Sequence, residues 1–187
     1  MFSRLTLPAS DSQGARAITL VQENLRFIWR LLRRLGLPPS DADDATQRVF
    51  VAAVRHIERI HPGSERAFLF RTAVRIAHKI HASSKRRREA EAADALDAVA
   101  DSAPSPEELS DRHRARELLD RVLELMPLEL KTVFILFELE RMTTAEVAEV
   151  LGIPRGTAAS RLRRARVDFN QRVHRIETRI KFREGEP

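Results

Sequence analysis

Residues Thr144 to Arg166 read TAEVAEVLGIPRGTAASRLRRAR, and this stretch decides the fold. Its first half sets Val147, Ala148 and Leu151 on one face at helical spacing, with Thr143 or Thr144 placed as N-cap and Glu146 in the first turn. Gly152 can take the left-handed conformation that stops a helix, and Pro154 cannot prolong that helix but suits the start of the next. The second half spaces Ala158, Leu162, Ala165 and Phe169 by threes and fours, and its other faces carry Arg155, Arg161, Arg163, Arg164 and Arg166. Two short helices joined by a three-residue turn, the second of them basic, form the helix-turn-helix that lays a recognition helix in a major groove. The competing reading is a plain helical hairpin with a solvated basic face.

In a docked recognition helix the first turns meet base edges and later positions meet phosphates. Arg155, Thr157, Ala159 and Ser160 are therefore candidates for the groove, with Arg161, Arg163 and Arg164 for mixed contacts. From Arg155 to Arg183 the only carboxylates among many cations are Asp168 and Glu177, a charge balance suited to a phosphate backbone.

Composition sets the frame around this element. A chain of 187 residues holds one medium domain or two small ones. With 6 glycines, no tyrosine and abundant Ala, Leu, Arg and Glu, it is expected to be all-α. The formal charge of +6 favours an anionic partner. The absence of cysteine excludes disulfides, thiolate metal sites and a thiol nucleophile. No apolar signal core and no run of about 20 apolar residues is present, which predicts a cytoplasmic protein.

Upstream, the segment Glu89–Asp111, EAEAADALDAVADSAPSPEELSD, has carboxylates throughout and not one Lys or Arg, with Pro104 and Pro106 near its end. It reads as an acidic flexible linker between two small helical domains, although its part before Ala100 can prolong the preceding helix. The expected division is a first domain over 15–92, a linker over 93–111 and a second domain over 112–181. In the first, apolar periodicity predicts a helix over 15–36, another capped by Ser40 or Asp41 and stopped by Pro62-Gly63, and a third from near Ser64.

Two patterns in that first domain carry further chemistry. Asp44 and Gln47, three apart on one helix face beside a packed Val49-Phe50 pair, form a candidate protein-docking surface, while helix capping alone accounts for Asp41 and Asp43. Phe68, Phe70, Arg71, Arg75 and Lys79 interleave rings with a cationic stripe at i, i+4, i+8, the combination that binds single-stranded DNA through stacking and phosphate contacts. Both phenylalanines in the core, with a merely solvated stripe, is the alternative. His78 and His81 share a helix, and His56 and His61 bracket a turn, but neither pair has a further ligand at metal spacing. No phosphate-cradling glycine loop or nucleophile elbow occurs, so no metal, cofactor or catalytic group is expected.

Taken in order, these parts resemble the bacterial extracytoplasmic-function sigma factors of RNA polymerase, in the sigma-70 class. The family's D-A-E-D-x-x-Q-x-x-F resembles Asp41-Ala42-Asp43-Asp44-Ala45-Thr46-Gln47-Arg48-Val49-Phe50, and its W-L-[FY]-R-I-A resembles Phe68-Leu69-Phe70-Arg71-Thr72-Ala73. Its G-x-x-x-G-T-V-x-S-R-L-x-R-A-R is matched from Gly152 to Arg166, with Ala158 in place of valine. The resemblance implies that Asp41, Asp44, Gln47 and Phe50 dock on core RNA polymerase. It implies that the Phe68–Lys79 helix captures the minus-10 element of promoter DNA, and that the helix-turn-helix reads minus-35. It further implies an anti-sigma factor as partner, often membrane-anchored in relatives, and no small-molecule substrate. This chain has Phe68 where the family has tryptophan, and Ala159 where a Lys or Arg is frequent. The alternative function is a polymerase-independent helix-turn-helix regulator.

Overall fold

A computed structural model describes residues 9–92 and 111–184. All regular structure among them is helical. Three long helices, α1 (Ala9–Arg34), α2 (Pro39–Arg55) and α3 (Glu65–Ala92), form the first unit. Four more, α4 (Asp111–Leu125), α5 (Leu128–Phe134), α6 (Thr144–Leu151) and α7 (Arg155–Glu184), form the second. Residues 93–110 of the expected linker lie outside the described residues; Glu89–Ala92 close α3 and Asp111 opens α4.

The first unit is a three-helix bundle whose core follows the apolar spacing. Ile28, Leu31, Leu32 and Leu35 of α1 and its exit pack with Ala45, Val49 and Ala53 of α2 and with Leu69, Phe70 and Ala73 of α3, all essentially buried. The α1–α2 turn needs Gly36 at φ 97°, with the Leu37 N–H donating back to the Leu32 carbonyl at 3.2 Å. The expected cap of α2 is corrected: Pro38 is the N-cap and Pro39 opens the helix, so Ser40 and Asp41 fall inside its first turn. A proline needs no donor partner there, which lets the helix begin earlier than a side-chain cap would place it. Beyond His56, Ile57–Arg59 form a turn of 3₁₀ helix rather than more of α2. Arg16 pins this segment, donating to the Ile57 and Ile60 carbonyls and to Glu65 at 2.6 Å.

In the second unit α5 packs on α7, where the Phe134 and Phe169 rings stack with centroids 4.5 Å apart. The helix begun by α5 widens to a π-turn over Ile135–Leu139. It exits with the Glu140 N–H on the Ile135 carbonyl and the Met142 N–H on the Leu136 carbonyl, both at 3.0 Å. Arg141 closes this exit at φ 59°, the one described non-glycine residue in the left-handed region. The two units share one continuous apolar core, with α6 packed on α3 and α4 on α1.

Candidate nucleic-acid interface

The helix-turn-helix forms as its local chemistry dictates. Thr143 caps α6 in a reciprocal box: its hydroxyl oxygen accepts from the Glu146 N–H at 3.3 Å, and its own N–H donates to Glu146 Oε2 at 2.7 Å. These bonds favour the charged Glu146 carboxylate and hold it below its ordinary range. Gly152 ends the helix at φ 64°, and Ala158, Leu162 and Ala165 turn into the core.

That packing sorts the expected minus-35 residues. Arg155, Ala159 and Arg163 recur every four residues along one exposed side of α7, and Arg164 is exposed on the other flank. Thr157 and Ser160 are half-buried, and the Ser160 hydroxyl donates to the Thr157 carbonyl at 3.0 Å, which commits its proton internally. Arg161 bends back to Glu129 of α5 at 3.2 Å instead of joining the exposed set. Arg166 likewise pairs with Glu138 at 2.7 Å and covers the Phe137 ring.

The cationic stripe on α3 is present, with Arg71, Arg75 and Lys79 all exposed. Its aromatic partner is half of what the sequence suggests. Phe68 is half-buried beside the His56 ring. Phe70 is 1% exposed, edge-on to Phe27 with centroids 5.1 Å apart, and capped by the Arg66 guanidinium. Phe70 is therefore a core residue and not a base-stacking one. Two residues apart on a helix face about 200° apart, so one ring of the pair had to turn inward.

On the opposite side of the first unit Asp44 and Gln47 are exposed and Asp41 is half-buried, while Phe50 is 6% exposed and serves as floor rather than contact. That floor belongs to a groove of about 950 Å³ between α1 and α2, lined by Val21, Leu25, Trp29, Val51 and Val54 and rimmed by Arg26, Arg30 and Arg55. The Trp29 Nε1–H donates to Asp43 Oδ1 at 2.7 Å across its mouth. Trp29 escaped the sequence reading, and Asp43 entered it only as part of the helix-start motif; the signal was Leu25, Val51 and Val54, apolar residues left on outward faces.

The seam between the units is charged and polar as well as apolar. Arg71 of α3 pairs with Glu149 of α6 at 2.8 Å. Glu140, 8% exposed, reaches Arg34 at 3.4 Å and Arg66 at 3.8 Å. Burial pushes its carboxyl above the ordinary range, and nearby Arg34, Arg66 and Arg30 pull it back only in part. His78 Nε2 lies 3.1 Å from Thr132 Oγ1, and burial with the neighbouring His81 lowers the His78 pKa. Lys131, buried beside Gly36 and His81, is lowered by desolvation too. No group of metal-ligating side chains occurs among the described residues.

Two family models match in chain order: Sigma-70 region 2 over residues 20–88, which spans α1 to α3, and Sigma-70 region 4 over residues 116–169, which spans the helix-turn-helix. The chain belongs to the sigma-70 family, within its extracytoplasmic-function group. The ECF RNA polymerase sigma factor SigE of Mycolicibacterium smegmatis is 28% identical over 148 residues, covering 79% of this chain and 57% of the relative's length. The ECF RNA polymerase sigma-E factor of Escherichia coli is 28% identical over 145 residues, covering 73% and 76%. In overall fold the chain is similar to the sigma factor RpoE of Bartonella quintana, solved in complex with the anti-sigma factor NepR. The TM-score is 0.61 at 20% identity, over 82% of this chain and 94% of that one. It is similar also to CnrH, solved with the cytosolic domain of CnrY, at a TM-score of 0.59 and 24% identity over 83% and 85%. Membership makes this sigma factor a promoter-directing protein of transcription initiation and disfavours a polymerase-independent regulator. No helix among the described residues is long and apolar enough to cross a membrane.

Proposed function

We propose that region 4 reads the minus-35 element through the exposed side of α7, while region 2 docks on core RNA polymerase and captures the minus-10 element along α3. The observation that carries this reading is the pairing of an exposed Arg155–Ala159–Arg163 side on α7 with the Arg71–Arg75–Lys79 stripe on α3, each within its own sigma module. Arg155 and Arg163 contact base edges and phosphates, with Thr157, Ala159 and Ser160 lining the same docked surface and Arg164 available to phosphate from the other flank. Phe68 offers the ring on which an unstacked base rests.

Polymerase docking falls to Asp44 and Gln47 together with the adjoining α1–α2 groove, where Trp29, Val51 and Val54 supply apolar area. An anti-sigma factor is a further partner on this reading, since the similar sigma factor of Bartonella quintana was solved with one. The factor performs no catalysis of its own; contacts made by the two modules offset the cost of unpairing the minus-10 segment. The deciding experiment is run-off transcription with purified core polymerase on genomic fragments. Transcripts from defined start points that depend on this protein support the reading. Their absence from a folded sample, with the core active under another sigma factor, refutes it.

A further inference from the structure

Where the two units close on one another they leave a cleft of about 630 Å³, within the size range of small-molecule sites. One wall is α3, which presents Arg71, Arg75 and His78 at i, i+4 and i+7 on a single face. The facing walls bring Thr132 of α5, Arg161 of α7, and the apolar Val150 and Leu151 of α6. Three guanidiniums from two helices thus line one space, against two carboxylates, Glu129 and Glu149.

Neither carboxylate is built into the fold. Glu149 meets Arg71 at 2.8 Å and Glu129 meets Arg161 at 3.2 Å, but the acids are 69% and 67% exposed and can swing to water at little cost. Arg161 is the better covered member of its pair, which keeps its cation at the cleft. Arg75 has no carboxylate partner among the described residues. The hydrogen bonds around His78 run in one consistent direction. The Thr132 hydroxyl donates to the Leu128 carbonyl at 2.7 Å, so the 3.1 Å contact has His78 Nε2–H donating to Thr132 Oγ1. The neutral ring then keeps an unprotonated Nδ1, able to take a proton when negative charge enters the cleft.

We propose that this cleft is a binding site for a small organic polyphosphate, with Arg71, Arg75 and Arg161 holding its phosphates and Val150 and Leu151 covering its organic part. The chemistry is an exchange of oxyanions. A planar guanidinium offers phosphate the same forked donors as a carboxylate, and a phosphate carries more charge and more acceptor oxygens than the acid it displaces. One inorganic phosphate fills only a small part of the space, so the volume favours a larger body with several phosphates. His78 faces Glu129, Arg161 and His81, with Arg71, Arg75 and Glu149 around the same space. Burial first, and the neighbouring cations second, keep the ring neutral until a ligand reverses the local charge. Binding therefore takes up a proton along with the anion. The site itself is independent of any role in transcription. One consequence does rest on the assignment of α3 as a promoter reader: Arg71 and Arg75 belong to its stripe, so ligand and DNA phosphate compete for them.

Calorimetric titration of the full chain with magnesium-free ATP, and separately with inorganic tripolyphosphate, tests the site. ATP is expected to saturate at one per chain, and tripolyphosphate to bind at least threefold more weakly. Arg75→Gln/Arg161→Gln should lower ATP affinity at least tenfold. Arg175→Gln/Arg179→Gln removes the same charge from an exposed stretch of α7 and should change it less than twofold. Should the first double variant fail to fold, Arg75→Gln alone, an exposed substitution, should still lower affinity at least threefold. On passing from pH 7.5 to 6.0 the wild type should gain affinity relative to His78→Gln, a comparison in which the titration of ATP itself cancels. Binding that does not saturate, equal loss in both double variants, or no loss in either overturns the site. Equal affinity for the two probes overturns its organic part. Saturable ATP binding that leaves affinity for a 20-nucleotide oligo(dT) unchanged would fail the promoter assignment of α3 alone and leave the site standing.

Discussion

Regions 2 and 4 carry their arginines in contrasting ways. On α7 the apolar residues Ala158, Leu162 and Ala165 fill one narrow face, and small Ala159 leaves the neighbouring side chains room, so Arg155 and Arg163 extend into solvent. On α3 the cations border a helix that is covered from two sides. Arg66 lies over Phe27 and Phe70 and reaches Glu140, and Arg71 meets Glu149. Equal charge in the sequence thus divides on both helices: Arg161 and Arg166 of α7 and Arg66 and Arg71 of α3 meet carboxylates, while Arg155 and Arg163 of α7 and Arg75 and Lys79 of α3 are exposed. What separates them is the set of carboxylates that the fold delivers from a distance.

The sharpest break of this comparison concerns the two phenylalanines of α3. Phe70→Ala empties a core site and is expected to cost about 3–5 kcal/mol of stability, measured by chemical denaturation. Phe68→Ala is expected to cost far less stability and to lower promoter opening in permanganate footprints. If Phe70→Ala instead left stability unchanged and abolished opening, Phe70 would be a stacking residue after all. Next in size are the exposed cations of α7. Arg163→Ala is expected to weaken minus-35 binding by about 1–3 kcal/mol without altering the melting temperature, because the side chain supports nothing in the fold. A loss of stability of the same size would show that the open surface is structural.

The seam between the units breaks differently. Glu140→Ala removes a carboxyl whose charge burial disfavours and releases Arg34 and Arg66 to solvent, so less than about 1 kcal/mol of stability should be lost. The chain should also expand, which small-angle scattering would read as a larger radius. Loss of stability with no expansion would confine the role of Glu140 to its own unit. Arg141 offers a change of opposite sign. Its φ of 59° costs an L-residue about 1 kcal/mol or more, so Arg141→Gly is expected to stabilise the protein by roughly that amount. Destabilisation would mean that the arginine side chain repays the backbone strain through a contact of its own.

Which of these features the sequence could disclose follows from the range of the forces behind them. The Thr143–Glu146 box and the Gly152 stop were legible because each is settled within one turn of chain. The start of α2 was misplaced because two cap chemistries competed, and a proline at the first helical position needs no side-chain acceptor. Phe68 and Phe70 were indistinguishable because the choice depends on Phe27, more than forty positions earlier, which claims one ring for the core. Glu140 and Glu149 looked like ordinary surface acids. Only the packing of α6 on α3 and the widened turn at Ile135–Leu139 give them arginine partners. The apolar groove of α1 and α2 was obscure for a related reason: Leu25, Val51 and Val54 fit the helical period, and periodicity alone does not say that their face lacks a cover.

The smallest expected effect tests the seam by pH. His78 faces Glu129 and Thr132 of α5 and Arg161 of α7, with Arg71, Arg75 and Glu149 around the same cleft and His81 one turn along. Burial first, and the neighbouring charges second, set its pKa below the ordinary 6.5. The unfolded or opened chain therefore takes up a proton more readily than the closed one. His78 leaves closure intact above pH 6.5 and weakens it as pH falls below that value. Glu140 acts with the opposite sign, since its raised pKa means that the closed form binds a proton more tightly. The two contributions separate in His78→Gln, which keeps a polar side chain beside Thr132 but cannot titrate. Between pH 7.5 and 5.5 the wild type should lose more thermal stability than this variant, by less than the ~2–4 °C that 1 kcal/mol moves a protein of this size. Identical pH profiles would place the titrating group elsewhere and leave the His78–Thr132 contact a purely steric part of the seam.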